Sequence, residues 1–304
     1  MKFLSAIIAT FLFIAGVADA ASYYVSKTGS DTNSGAQASP WLTVAHAAAV
    51  ASAGDTVTIN PGTYSEDVTL SKSGTSTARI TFTGSGLVQS FSVSGNYITI
   101  THVSVGDGST VNNSTSTAIN CTGSHILVDT VTMNLQSPGT PAASASTAWQ
   151  SSGANNTVQN CDISHTAGGF AAIVMTGTST NNLAFNNKIH DILDGDALNI
   201  WGVNNIIRGN EVYALTGPNY GKPGVDHPDF LQTYGPPSGG GDAPANNIIV
   251  ENNYVHDCDA QIGNLDNPDS TFHDWTWRNN IFSNVQNSPI RRNTESEFLQ
   301  QRIL

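Results

Sequence analysis

The chain has 304 residues, of which 11% are charged, and a formal net charge of −12. That length allows one large domain or two small ones, and the lack of a basic field excludes nucleic acid as the expected partner. Low charge combined with regular apolar spacing argues for an ordered, β-rich protein rather than a disordered one.

Residues 1–20 contain Lys2, an apolar run from Ala6 to Val17 and the small-x-small triplet Ala18-Asp19-Ala20. This is the pattern of an export signal, and the run is short for a membrane anchor. The mature protein is therefore expected to begin near Ala21, to be secreted (extracellular or periplasmic), and to act as a monomer without a membrane partner. Residues 40–54 combine an Ala-rich apolar face with a terminal Gly54, which predicts an amphipathic helix with a C-terminal stop. Gly54-Asp-Thr-Val-Thr-Ile-Asn-Pro-Gly-Thr-Tyr64 then reads as a first strand and turn. Cys121, Cys161 and Cys258 form no disulfide framework or zinc pattern, and are expected to be buried thiols with at most one pair.

From residue 96 onward the chain repeats. Polar pairs precede short apolar alternations at Asn96-Tyr-Ile-Thr-Ile, Ser124-His-Ile-Leu-Val, Asn155-Asn-Thr-Val-Gln and Asn181-Asn-Leu-Ala-Phe. The pattern returns at Asn204-Asn-Ile-Ile-Arg, Asn246-Asn-Ile-Ile-Val and His273-Asp-Trp-Thr-Trp, with steps of 28, 31, 26, 23, 42 and 27 residues. A unit this small cannot bury its own apolar face, whereas stacked units share a continuous core. Several short strands per unit, and no helical period, predict an all-β fold: a single parallel β-helix over residues 21–304. Its N-terminal cap is the helix near 40–54, and its coils run over about 55–286. Stacking equivalent positions puts Cys161, Asn187, Asn210, Asn253 and Asn280 in one column, which predicts a structural amide ladder. His190-Asp191 and His256-Asp257 also repeat with the coil and read as structural. Residues 287–304 are charged and read as helical, either a C-terminal cap or the end of an incomplete chain.

The opening residues carry a resemblance. Tyr23-Tyr-Val-Ser-Lys-Thr-Gly-Ser-Asp, Pro40-Trp-Leu-Thr, Ala53-Gly-Asp-Thr-Val and Pro61-Gly-Thr-Tyr resemble the start of pectate-lyase-like right-handed β-helix proteins, the group that includes family 9 polysaccharide lyases. The resemblance implies an extracellular protein that acts on, or binds, polysaccharide. No stretch matches the lyases' calcium-aspartate and catalytic-lysine motifs. The hydrolases' paired-aspartate, Gly-His-Gly and Arg-Ile-Lys signatures are not found either. The resemblance thus implies the class and leaves the reaction open.

Candidate chemistry concentrates at the one anomalous step, the 42 residues between Asn204 and Asn246. Long loops around one coil of a regular solenoid build groove walls on a rigid floor; here they are residues 216–226 and 236–245, flanking the strand 229–235. Aligning Gly202 with Gly235 stacks Asp196 under Asp229, Asn199 under Gln232 and Trp201 under Tyr234. Alternation then turns Leu198, Ile200 and Leu231 inward and Asn199, Trp201, Gln232 and Tyr234 outward. Such a row, continued by Gln261, makes a sugar floor, since rings stack on sugar faces and amides bond hydroxyls. Asp226, His227 and Asp229 form the densest titratable cluster, with Lys222 nearby. For β-elimination on a uronate, His227 or Lys222 would be the base. Asp196, Asp226 and Asp229 would hold Ca²⁺, and Lys188 and Arg208 would neutralise an acidic polysaccharide substrate. For hydrolysis, Asp229 would pair with Asp196 or Asp226. A non-catalytic carbohydrate-binding or adhesion solenoid is the third reading.

Overall fold

The computed structural model describes residues 20–106, 116–135, 146–164, 171–193, 195–217, 228–234, 245–266, 273–285, 291–292, 296–299 and 302–303. Within them the strands pair in parallel, each with its counterparts one coil before and after. Each full coil contributes three short strands. The first face is an 11-stranded sheet running from Ser22–Val25 to Ser296–Leu299. A 17-stranded sheet makes the other two faces. These are continuous because Leu87–Val93 pairs through its start with Ser104–Val105 and through its end with Ser116–Cys121. Taking one coil in order, Leu183–Phe185 lies on the first face, Lys188–Leu193 on the second and Asp196–Ile200 on the third.

Period-2 alternation aims one column of each face inward. On the first face Val128, Val158, Ala184, Ile207 and Val250 stack in register; on the second, Met133, Ile163, Ile189, Val212 and Val255 do so. On the third, Ile119, Trp149, Ile173, Leu198 and Leu231 follow. All are essentially fully buried, and each Val, Leu, Ile or Met among them contributes about 1.5–3 kcal/mol by leaving water. Toward the C-terminal coils, Phe230 fills the interior and meets Trp277 and Phe282 edge-on, with ring centroids 6.2 and 6.0 Å away.

The predicted Asn column is a ladder of buried amides at the turn from first to second face. The Oδ1 atoms of Asn187, Asn210, Asn253 and Asn280 accept from the backbone N–H of Cys161, Asn187, Asn210 and Asn253 at 2.9–3.0 Å. Their Nδ2 groups donate to carbonyls one coil back: Val158, Ala184, Ile207 and Val250. The residue before each rung, Asn186, Gly209, Asn252 or Asn279, sits at φ between 52° and 66°, a region that Asn and Gly tolerate best. A second ladder closes the turn from third to first face, where Asn156, Asn182 and Asn205 accept from the N–H of Ile126, Asn156 and Asn182, each at 2.8 Å. These are the second residues of the polar pairs that mark the repeat.

The helix forms at Val44–Val50 and ends at Ala51, three residues before the expected stop at Gly54. Thr43 caps it by accepting from His46 N–H, and Asp31 accepts from the N–H groups of Leu42 and Thr43. It buries Val44, Ala47 and Ala48, packing on Ser22–Val25 and Thr63–Leu70 at the N-terminal end. The C-terminal stretch corrects the helical expectation. Arg291–Arg292, Ser296–Leu299 and Arg302–Ile303 are strands that continue all three faces. Phe298 falls in register with Trp277, and Ile303 with Phe282; coil stacking overrides local propensity there. The cysteines are all free and buried, so no pair forms. Burial pushes the thiols up to about 12 for Cys121 and Cys161 and to about 11 for Cys258. Residues 1–19, where the export signal falls, lie outside the described residues, and no described helix is long and apolar enough to cross a membrane.

Candidate active site

The third face brings the predicted acids together. Leu198 and Asn199 pair with Leu231 and Gln232, the register that glycine alignment predicts, and Asp229 sits one rung above Asp196. The rungs are locked by backbone bonds from Ala197 N–H to Asp229 O and from Leu198 N–H to Phe230 O. The Asp229 N–H donates to Asp196 Oδ1 at 2.8 Å. With its amide turned to satisfy both neighbours, Asn199 donates to Asp196 Oδ2 (2.9 Å) and to the Leu198 carbonyl (3.1 Å). The Asp196 carboxylate therefore ties one coil to the next. Asp229 is completely buried, and Asp196 is 6% exposed. The two acids sit on adjacent rungs, whose backbones are roughly 4.8 Å apart along the axis.

Gln261 takes a different place from the one expected. It bridges to Asp229, with Phe230 N–H donating to Gln261 O and Gln261 N–H to Pro228 O. The column is therefore Asp196, Asp229, Gln261. In backbone register Gln232 pairs instead with Asn264. In the other direction the register reaches Gln150 and Asn120, with Val174 intervening. Sequence reading missed Asn120, Gln150 and Asn264, although each follows or precedes an apolar residue that repeats with the coil. Gln261 Oε1 and Thr233 Oγ1 are buried and have no hydrogen-bond partner among the described residues. A buried, unpaired polar atom costs about 1–3 kcal/mol and is uncommon unless something else uses it.

Other expectations are corrected. Asn199 is 2% and Trp201 5% exposed, so neither forms an open floor: every residue of Asp196–Ile200 is buried, on both sides of the strand. Gln232 is half-buried, while the side chain of Tyr234 lies outside the described residues. Lys188 and Arg208 are on other faces. Lys188 is on the second face, its Nζ 3.7 Å from Glu211. Arg208 is on the first, where it and Arg278 donate to the two oxygens of Glu251. Burial works to raise the Glu251 pKa, but the bonds from Arg278 and Arg208 outweigh it and hold the carboxyl below its usual range. Lys222, Asp226 and His227 lie outside the described residues, as does most of both expanded loops.

The donor chemistry at Asp196, Asp229 and Gln261 Oε1 suits a hard cation, which takes six to eight oxygens. It is a partial shell, since among the described residues no group of three or more His, Cys, Asp or Glu side chains is set for a metal.

The three-faced parallel solenoid is a fold typical of carbohydrate-active enzymes. The chain belongs to the family described as "Pel9A-like, right handed beta helix region", which matches residues 23–206. Among solved structures it is similar to pectate lyase Pel9A, with a TM-score of 0.54 and 14% identity over 95% of this chain and 78% of that one. It is also similar to the GH136 lacto-N-biosidase of Eubacterium ramulus (TM-score 0.52, 12% identity, 93% and 68%). The alginate lyase of Paenibacillus sp. strain FPU-7 is a third (TM-score 0.50, 15% identity, 86% and 95%). A Bacillus subtilis (strain 168) protein, "Uncharacterized protein YwoF", is 49% identical over 59 residues, a stretch that is 19% of this chain and 13% of that relative. At these identities the structural likenesses speak to the fold, which hosts lyases and hydrolases alike.

Proposed function

We propose that the protein is a secreted lyase that cleaves a uronate-containing polysaccharide by β-elimination on its third face. The observation that carries this reading is the stacking of two buried acids, Asp196 and Asp229, on consecutive rungs, followed in the same column by Gln261, whose buried Oε1 has no hydrogen-bond partner among the described residues. Elimination needs a base to take the proton α to the uronate carboxyl and positive charge to stabilise the enolate. Asp196 and Asp229, joined by Asp226 from the adjoining sequence, would hold Ca²⁺, which when bound supplies that charge. His227 or Lys222, just ahead of Asp229 in the chain, takes the role of base. Asp196 positions Asp229 through the latter's backbone N–H, and the half-buried Gln232 on the neighbouring rung is the proposed contact with the polymer.

The paired acids also favour hydrolysis as a second reading. A one-rung separation is nearer the ~5 Å of a retaining pair than the ~6.5–9.5 Å of an inverting one. One assay separates the two. The mature protein is incubated with pectate, alginate and glycosaminoglycans, with and without Ca²⁺, while ultraviolet absorbance of unsaturated uronates and reducing ends are followed together. Elimination raises both signals, in a Ca²⁺-dependent manner. Reducing ends without absorbance would replace the lyase reading with hydrolysis, and neither signal on any of these polymers would leave a binding protein.

A further inference from the structure

The second face carries a surface that the elimination reading does not use. His190, Tyr213 and His256 occupy consecutive rungs of one column. Their rings stack nearly parallel, at 4.9 Å and 3° for the first pair and 5.3 Å and 17° for the second. Tyr254 then stacks on His256 at 4.3 Å and 23°. Both imidazoles are fixed by carboxylates: His190 by Asp162 and Asp191, and His256 by Asp257 and Glu211. Tyr254 is 41% exposed, and Ile281, the next rung above it, 37%.

We infer that this strip is a docking site for a neutral, β-linked polysaccharide, separate from the acidic third face. Three features point to that chemistry. First, an exposed tyrosine ring beside an exposed aliphatic rung offers the flat apolar surface on which a pyranose face packs, as aromatic rings do on apolar partners. Second, the carboxylates of Asp162, Asp191, Glu211 and Asp257 ring the strip with acceptors for sugar hydroxyls. With Lys188 the one ammonium among these described residues, and already beside Glu211, this charge repels a polyuronate and suits an uncharged polymer. Third, the rungs repeat every ~4.8 Å along the axis, close to the rise of one ring in an extended β-linked chain. Successive sugars therefore meet successive coils. The site would hold the protein on neutral polymer while the third face works on an acidic one.

The test is retention of the full mature chain on insoluble cellulose and mannan, and in gels containing xylan or galactan, with polygalacturonate gels for comparison. The expected result is retention on at least one neutral polymer, insensitive to salt because no ion pair forms. Tyr254→Ala and His256→Ala should each weaken it about tenfold, the value of one aromatic contact, and Tyr254→Phe should preserve it. Tyr254 is exposed and His256 partly so, at 18% of its side chain, and an unchanged Tm shows that the fold is intact. No retention on any neutral polymer would overturn the inference, as would equal retention by Tyr254→Ala or retention by polygalacturonate alone. Asp229→Asn separates this from the lyase reading: it should abolish elimination and leave retention unchanged.

Discussion

The turns and the third face both bury amides and acids, but they treat them differently. At the turn from first to second face, Asn210 uses its full capacity: Oδ1 accepts from the N–H and Nδ2 of Asn187, and Nδ2 donates to Ala184 O and Asn253 Oδ1. On the third face Gln261 Oε1 and Thr233 Oγ1 are as buried, yet have no partner among the described residues. A fully satisfied buried network is the solenoid's own reinforcement. Buried polar atoms left over by it are where a bound group is proposed to sit. Residue type alone therefore does not distinguish the structural amides from the candidate site; what differs is whether their polar atoms are satisfied.

Breaking the ladder should give the largest effect. Asn210→Ala removes the acceptor for a buried N–H and the donor for a buried carbonyl, at about 1–3 kcal/mol each. A loss of about 3–5 kcal/mol is expected, read as a lower denaturant midpoint. A change below about 1 kcal/mol would show that the ladder is ornamental. On the third face the opposite sign is expected. Gln261→Leu replaces an amide whose Oε1 has no partner among the described residues by an apolar group of similar size, and should stabilise the fold by about 1 kcal/mol while lowering activity. Destabilisation would mean that Gln261 belongs to the structural set.

The smallest effect at ordinary pH concerns the thiols. Burial raises the pKa of Cys121, Cys161 and Cys258 to between about 11 and about 12. The folded state therefore keeps protons that the unfolded state loses above about pH 8.5. Stability from this source is complete below that pH and falls as pH rises toward 12. At pH 8 the native protein should resist thiol labelling and the unfolded chain should take three labels. Labelling of the native state at the rate of a free thiol would contradict the burial.

Much of this was legible in the sequence. The repeat sets the solenoid, and the column from Cys161 to Asn280 falls out of aligning coils. Gly202 and Gly235 fix the register that puts Asp196 under Asp229. What was not legible has physical causes. Alternation tells which side of a strand Asn199 takes, but not whether that side is open, and here it is buried. Lys188 and Arg208 are near Asp196 along the chain, but a three-faced coil turns a corner every few residues and sends them to other faces. The strands at 296–303 are short and charged, and their pairing with the preceding coil is a tertiary effect that local propensity does not report.

The third face, not the ring-bearing second face, is the proposed seat of the chemistry. The most direct test compares initial rates of double-bond formation for the wild type, Asp229→Asn and His256→Ala on one polyuronate with Ca²⁺ present. The account predicts a loss of about 100-fold or more for Asp229→Asn, the scale of removing one group that stabilises transition-state charge, with its Tm retained and His256→Ala at the wild-type rate. Full activity in Asp229→Asn together with loss in His256→Ala would contradict it and move the active site to the second face.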